Sequence, residues 1–408
     1  MNLLLKNPEL VVTCSGNAKR FKRGSEMNDV GILSGVDIYI EDGTIKKIGK
    51  ITPDSDCDVL DVSGKILVPG FVDPHTHGIF AGTGEHEFAL RAKTTVPLET
   101  TFDNSGILET VRKTREASKS YLRTHAERRL DKMLKWGTTT VEIKSGYGLD
   151  FKNEIKLLEA IREMEAELIP DIVVTFLGAH VILPEHDHDA YMNILTEELI
   201  PYIAKKRLAD FCDVFCDREG FTAEDARKIL AVARDQGFKL KMHTGSSSTS
   251  GGVKLAVELG ATSVDCIEKI SSDEIELLSR SDTVGVILPA TSCYLRARPA
   301  PAREMIDQDC AIAIASDFGP CTSMVDNMQT TMWLAICFNS MTVEEALNAA
   351  TINAAAALGL SDVLGSIEVG KQADVLIVDA KDYAYLPYHF TENRIEKVVK
   401  RGIVLEFP

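Results

Sequence analysis

His75 and His77 are separated by one residue in the run Val68-Pro69-Gly70-Phe71-Val72-Asp73-Pro74-His75-Thr76-His77. Residues two apart on an extended chain point the same way, so both imidazoles can address one point. Neutral imidazole is the commonest metal ligand, and two on one strand make half of a divalent-metal site. His-X-His alone is short enough to arise by chance. Further groups of the same chemistry strengthen it: His180 follows Phe176-Leu177-Gly178-Ala179, His243 follows Lys241-Met242, and Asp317 follows Ile314-Ala315-Ser316. His75, His77, His243 and Asp317 make three imidazoles and one carboxylate with room for a water. Structural sites tend to be closed, often by thiolates, so this set reads as catalytic. A divalent ion there would lower the pKa of a bound water and polarise a carbonyl. Singly, His243 also reads as a satisfied core histidine and Asp317 as a helix N-cap; jointly the metal reading outweighs both.

These groups need a scaffold that brings distant strand ends together. Thr138 to Ile143, Ile172 to Leu177, Lys239 to Met242, Val284 to Leu288 and Ala311 to Ala315 are apolar runs that read as buried strands. Asn153 to Glu167 and Ala223 to Gln236, with helical periodicity, lie between them. Strand–helix alternation over this length predicts a parallel α/β sheet closed into a (β/α)8 barrel. Catalytic side chains of such barrels come from the C-terminal ends of the strands, where these histidines, Asp317 and the run Lys144-Ser145-Gly146-Tyr147 all fall. Both chain ends are strand-like, with Leu10 to Thr13, Val36 to Gly43, Ala373 to Val378 and Lys397 to Gly402, and predict a small domain built from both termini.

The 408 residues suit a barrel with an appendage, and a net charge of −16 argues against nucleic acid or anionic membrane as a partner. No apolar run reaches the roughly twenty residues of a spanning helix. The N-terminal stretch lacks a secretory pattern, and nine scattered cysteines suggest reduced thiols in a cytoplasm. Cys212 and Cys216 are the closest pair and leave a separate metal site as a minor alternative to buried strand residues.

Several longer motifs accompany the histidines: Glu85-His86-Glu87-Phe88, Val141-Glu142-Ile143-Lys144-Ser145-Gly146-Tyr147-Gly148-Leu149-Asp150, Asp213-Val214-Phe215-Cys216, Gly365 through Asp374, and Pro387-Tyr388-His389-Phe390. With Pro69 to His77 and Phe176 to His180, they make the chain resemble the amidohydrolase superfamily and, within it, the imidazolonepropionases, which open a ring in histidine degradation. The resemblance covers nearly the whole chain. It implies a TIM barrel over residues 69–368 and a β-sandwich from 1–68 plus 369–408. It also implies one divalent metal, zinc ahead of iron or manganese, on His75, His77, His243 and Asp317, and a homodimer.

The pocket departs from the family pattern. Ser246 stands where the family has Glu or Gln, and Cys266 where it has a histidine acting as general base. Asp-Phe-Asn-Pro-Gly is here Asp317-Phe318-Gly319-Pro320-Cys321. Gly84 replaces an arginine, and Pro97 a tyrosine, that recognise the substrate. Losing a bidentate guanidinium is not a mild change. The expectation is therefore a metal-dependent hydrolase opening a cyclic amide such as an imidazolone, hydantoin or thiohydantoin. Asp317 would be the general base, His180 would polarise the carbonyl or hold the oxyanion, and Tyr147 would position the ring. Gly84, Ser246 and Phe318 would line the substrate. Cys266 would act as an acid/base or soft ligand, or only fill space. The alternatives are a genuine imidazolonepropionase, a hydrolytic deaminase and a non-catalytic metal-binding paralogue.

Overall fold

A computed structural model describes residues 2–52, 56–93, 105–216, 220–244 and 251–407; Pro97 and Ser246 lie outside these. Among the described residues eight parallel strands follow one another around a single sheet. They are β1 (Phe71–Asp73), β2 (Thr138–Lys144), β3 (Asp171–Ala179), β4 (Phe211–Cys216), β5 (Lys239–Thr244), β6 (Ser263–Asp265), β7 (Val284–Ile287) and β8 (Ile312–Ile314). The first and last strands meet just beyond their ends. Thr76 bridges Phe318 in parallel, Asp317 N–H donates to the His75 carbonyl at 3.1 Å, and His77 N–H to the Phe318 carbonyl at 2.8 Å. The sheet thus closes at the level where the chemistry-bearing residues sit.

Two of these strands escape the apolar-run criterion. β4 reads Phe-Cys-Asp-Val-Phe-Cys with a buried carboxylate in its middle, and β6 is three residues long. Their neighbours supply the pairing that their own composition does not advertise.

Helices cover the outside. Phe151–Glu167 starts where the Asp150 side chain accepts the Asn153 N–H at 2.7 Å, and it buries Ile155, Leu158 and Ile161 along one face. Each such side chain, fully buried, contributes about 1.5–3 kcal/mol. Ala223–Asp235 opens with a reciprocal capping box between Thr222 and Asp225. No helix of the described residues is long and apolar enough to cross a membrane.

Strands from both chain ends form two further sheets, one of Asn2–Lys6, Asp37–Glu41, Thr44–Gly49 and Asp58–Asp61, the other of Leu10–Val12, Ile32–Leu33, Ile66–Pro69, Val375–Val378, Ile395–Lys400 and Ile403–Leu405. Alternate residues from each, including Leu3, Leu5, Ile38, Ile40, Leu67, Val375 and Ile377, share one apolar cluster. Ile66–Pro69 runs straight into β1 through Gly70. A Cβ on Gly70 would come within 2.2 Å of Thr139 Oγ1, so glycine lets β2 approach and sets the direction in which β1 delivers His75 and His77.

Candidate active site

Closure of the barrel brings Asp317 against both first-strand histidines. His75 Nε2 and His77 Nε2 each lie 3.6 Å from Asp317 Oδ1, and the ligand-type atoms of all three residues fall within 4.8 Å of one another. Asp317 adopts φ +48°, a left-handed conformation costing a non-glycine residue about 1–3 kcal/mol; such strain concentrates at functional sites. Thr291, just beyond β7, donates its hydroxyl to Asp317 Oδ2 at 2.7 Å, which leaves Oδ1 for the histidines.

The tautomers tell what this cluster can hold. His75 Nδ1 is 2.6 Å from Asp265 Oδ2; the carboxylate accepts, so Nδ1 carries the proton and Nε2 turns its lone pair to Asp317. Burial holds both His75 and His77 well below the ordinary imidazole range, so both are neutral. His77 Nδ1 is buried without a hydrogen-bond partner. Acceptors crowded this closely repel unless a cation joins them, and the nitrogen and oxygen donors suit a divalent ion. His243 stands beside this trio, its ring 5.4 Å from that of His75. Its Nδ1 is 3.0 Å from Asp213 Oδ2 and its ring stacks on Phe215, so its proton too is fixed on the side of the carboxylate.

Beneath the ligands lies a buried ionic network. Lys144 Nζ reaches Asp213 Oδ2 at 2.7 Å and Glu142 Oε2 at 3.0 Å. Lys241 Nζ reaches Glu142 Oε2 at 3.0 Å, Asp265 Oδ2 at 3.4 Å and the Pro74 carbonyl at 2.7 Å. Burial disfavours the Lys144 charge, but Asp213, Glu142 and Asp265 overcome it and raise its pKa. Burial likewise pushes Asp213 up, and Lys144 with His243 more than reverses this, holding it well below the usual carboxylate range. Carboxylates outnumber lysines here, a surplus that favours a bound cation. Sequence reasoning assigned no role to Glu142, Asp213, Lys241 or Asp265. The available signal was period two: Glu142 with Lys144, and Lys241 with His243, share a strand face.

The remaining expected residues divide. His180 is buried, its ring stacked on His77 with centroids 5.2 Å apart. Its Nδ1 lies 2.9 Å from the Gly146 carbonyl, which can only accept. Burial, followed by the neighbouring His243 charge, brings its pKa down to about 4. A neutral ring with Nδ1 protonated presents Nε2 as an acceptor. This tautomer contradicts the expectation that His180 donates to an oxyanion, and suits it to receive an N–H.

Tyr147 is buried, its ring 5.7 Å from His77 and 5.5 Å from His180, with its hydroxyl on Cys321. Phe318 does not face open space; its ring packs 6.2 Å from Phe80 in the core, and its carbonyl serves barrel closure. Gly84 caps the helix Glu85–Ala92, which also rests on the loop after β8 through Arg91 Nη1 and the Cys321 carbonyl at 2.7 Å. A Cβ on Gly84 would come 2.2 Å from the Pro320 carbonyl, so the segment is packed for glycine.

Cys266 has φ +63°, and its thiol is pushed well above the ordinary range by burial and then by the Glu268 and Asp317 carboxylates. Like His243, it belongs to no group of three or more converging ligand atoms among the described residues. The same holds for Cys212 and Cys216: four residues apart on β4, they are separated by roughly 13 Å of extended chain, too far for one ion. Sequence reasoning also missed Thr291 and Glu268. Neither lies on a strand, and only the fold places them at the site.

Residues 66–405 match the profile of the amidohydrolase family. Imidazolonepropionase of Clostridium tetani is 37% identical, covering 99% of this chain and 98% of that protein. The imidazolonepropionase of Alkaliphilus oremlandii is 40% identical, covering 100% and 98%. Among solved structures, a triazine hydrolase variant superposes with a TM-score of 0.76 at 17% identity, covering 99% of this chain and 94% of the other, a likeness of fold. With its eight-stranded barrel, its histidine–aspartate cluster and full-length relatives, the chain belongs to the amidohydrolase family and is imidazolonepropionase-like.

Proposed function

We propose that this protein is a metal-dependent hydrolase that opens the C–N bond of a cyclic amide, with imidazolonepropionate the first ring to test. The observation that carries this reading is the set of neutral histidine nitrogens turned onto Asp317 Oδ1. The full-length relatives support the choice of substrate. Zinc is the proposed ion, bound by His75, His77, Asp317 and the adjacent His243, and its Lewis acidity would activate water and polarise the amide carbonyl. The chain's own residues do the remaining work. Asp265 and Asp213 hold His75 and His243 in one tautomer, and Thr291 keeps the Asp317 carboxylate oriented. Asp317 is the first acceptor for the water proton, His180 receives a ring N–H at Nε2, and Tyr147 walls the ring.

A second reading, favoured by Gly84, is a related ring without the propionate arm. The Pro320 carbonyl occupies the space a side chain at 84 would need. The test is metal analysis of the purified protein, then a panel of imidazolonepropionate, arm-free imidazolones, hydantoins and thiohydantoins followed by loss of ring absorbance. Turnover of imidazolonepropionate supports the first reading, and turnover of arm-free rings only supports the second. Bound metal without turnover of any ring would sink both in favour of a non-catalytic metal-binding protein. A cytoplasmic homodimer is the proposed setting, checked by light scattering and fractionation.

A further inference from the structure

Ring opening needs a proton delivered to the departing nitrogen, and most acid–base groups at this site are already engaged. Asp317 has Oδ2 on Thr291 and Oδ1 toward two histidines; His75 and His243 are tied to carboxylates, and His180 to a carbonyl. Two buried carboxyls keep an unpartnered oxygen among the described residues, Asp213 Oδ1 and Glu268 Oε2, and Lys144 with His243 holds Asp213 as an anion. Glu268 lies three residues beyond β6. It is buried, its Oε1 meets Ser292 Oγ only at 3.5 Å, and its Oε2 has no hydrogen-bond partner. Its neighbours are the Cys266 thiol, which hydrogen-bonds it, and the charge of Asp317. Thr291 and Ser292 are consecutive on the helix Pro289–Leu295, one reaching Asp317 and the other Glu268, so the start of one helix touches both acids. A buried carboxyl with an unpartnered oxygen is costly as an anion and persists where it has a task. Burial disfavours the Glu268 anion and so favours the acid form, which has a proton to give.

We propose that Glu268 is the proton carrier of the reaction, donating to the ring nitrogen as the C–N bond breaks; this rests on the ring-opening reading above. The water oxygen bonds to the carbonyl carbon, and the C–N electron pair goes to nitrogen. Nitrogen takes the Glu268 proton, and the carboxylate so formed recovers the proton that the water gives up. Glu268 ends as it began, and one water is consumed per ring opened.

The test compares Glu268→Gln and Glu268→Asp with the wild-type holoenzyme on cyclic amides whose leaving nitrogens differ in basicity. Glu268→Gln should lower kcat by about 100-fold or more, with KM and metal per chain unchanged. That loss should grow as the leaving nitrogen becomes more basic, and Glu268→Asp should recover part of the rate. A Glu268→Gln rate within about twofold of wild type overturns the assignment, as does a loss equal for every leaving nitrogen. If the glutamine variant does not fold, the same dependence on basicity is read from Glu268→Asp, and a flat response there overturns it equally. A wild-type enzyme that opens no ring overturns the ring-opening reading itself, a different result from an active wild type with an unaffected variant.

Discussion

Asp265 Oδ2 lies 2.6 Å from His75 Nδ1, both side chains buried, and this one contact decides which nitrogen of His75 faces Asp317. Asp265→Asn should therefore weaken metal binding about 10–100-fold, the usual effect of removing a carboxylate behind a ligating histidine. Competition titration with a chelating indicator measures it. Unchanged affinity would mean that Lys241 and Lys144, rather than Asp265, determine the site.

Lys144 is enclosed by Asp213, Glu142 and Asp265 with no exposed surface. Lys144→Met leaves those carboxylates short of a cation, and the expected loss of stability is about 3–5 kcal/mol by denaturant unfolding. A loss below about 1 kcal/mol would show that water or a bound cation replaces the ammonium.

Gly84 and the Pro320 carbonyl are packed too closely for a Cβ at 2.2 Å. Gly84→Ala should destabilise the protein by about 1–3 kcal/mol, the range of an overpacked contact. Thermal unfolding checks it. A variant as stable as wild type would mean that the loop at Pro320 yields, leaving room for a side chain that contacts substrate.

His180 is held neutral by burial, at about 4 against an ordinary value of 6.5. Between those values the unfolded chain binds a proton that the folded chain refuses, so stability falls as pH drops from 6.5 towards 4. His180→Gln should flatten that limb of the stability–pH curve while leaving the region above pH 7 unaltered in slope. An identical curve for the variant would assign the limb to His75 and His77, which shift in the same direction.

The barrel was legible because its strands and helices rest on local pattern. Thr138 to Ile143 and Ile172 to Leu177 are continuous apolar runs, and they pair in the register Ile172 to Val141. His75 and His77 share a face through period two alone. β4 was legible only in part, as a strand around Cys212 and Cys216 with Asp213 interrupting its apolar run, and β6, three residues long, was not.

The sequence by itself determined the element types, the parallel order that alternation imposes, and which residue types gather at the strand ends. Only the tertiary structure decided what those residues do there. The Gly146 carbonyl fixes the His180 proton on Nδ1, and Phe318 takes part in barrel closure and packs against Phe80. Lys241 became the partner of Glu142, 99 residues away, and Glu268 emerged as a buried carboxyl with an unpartnered oxygen. Ligand type is a property of one side chain. Tautomer, protonation and access depend on the dielectric and on partners from other strands, and these exist only once the barrel has closed.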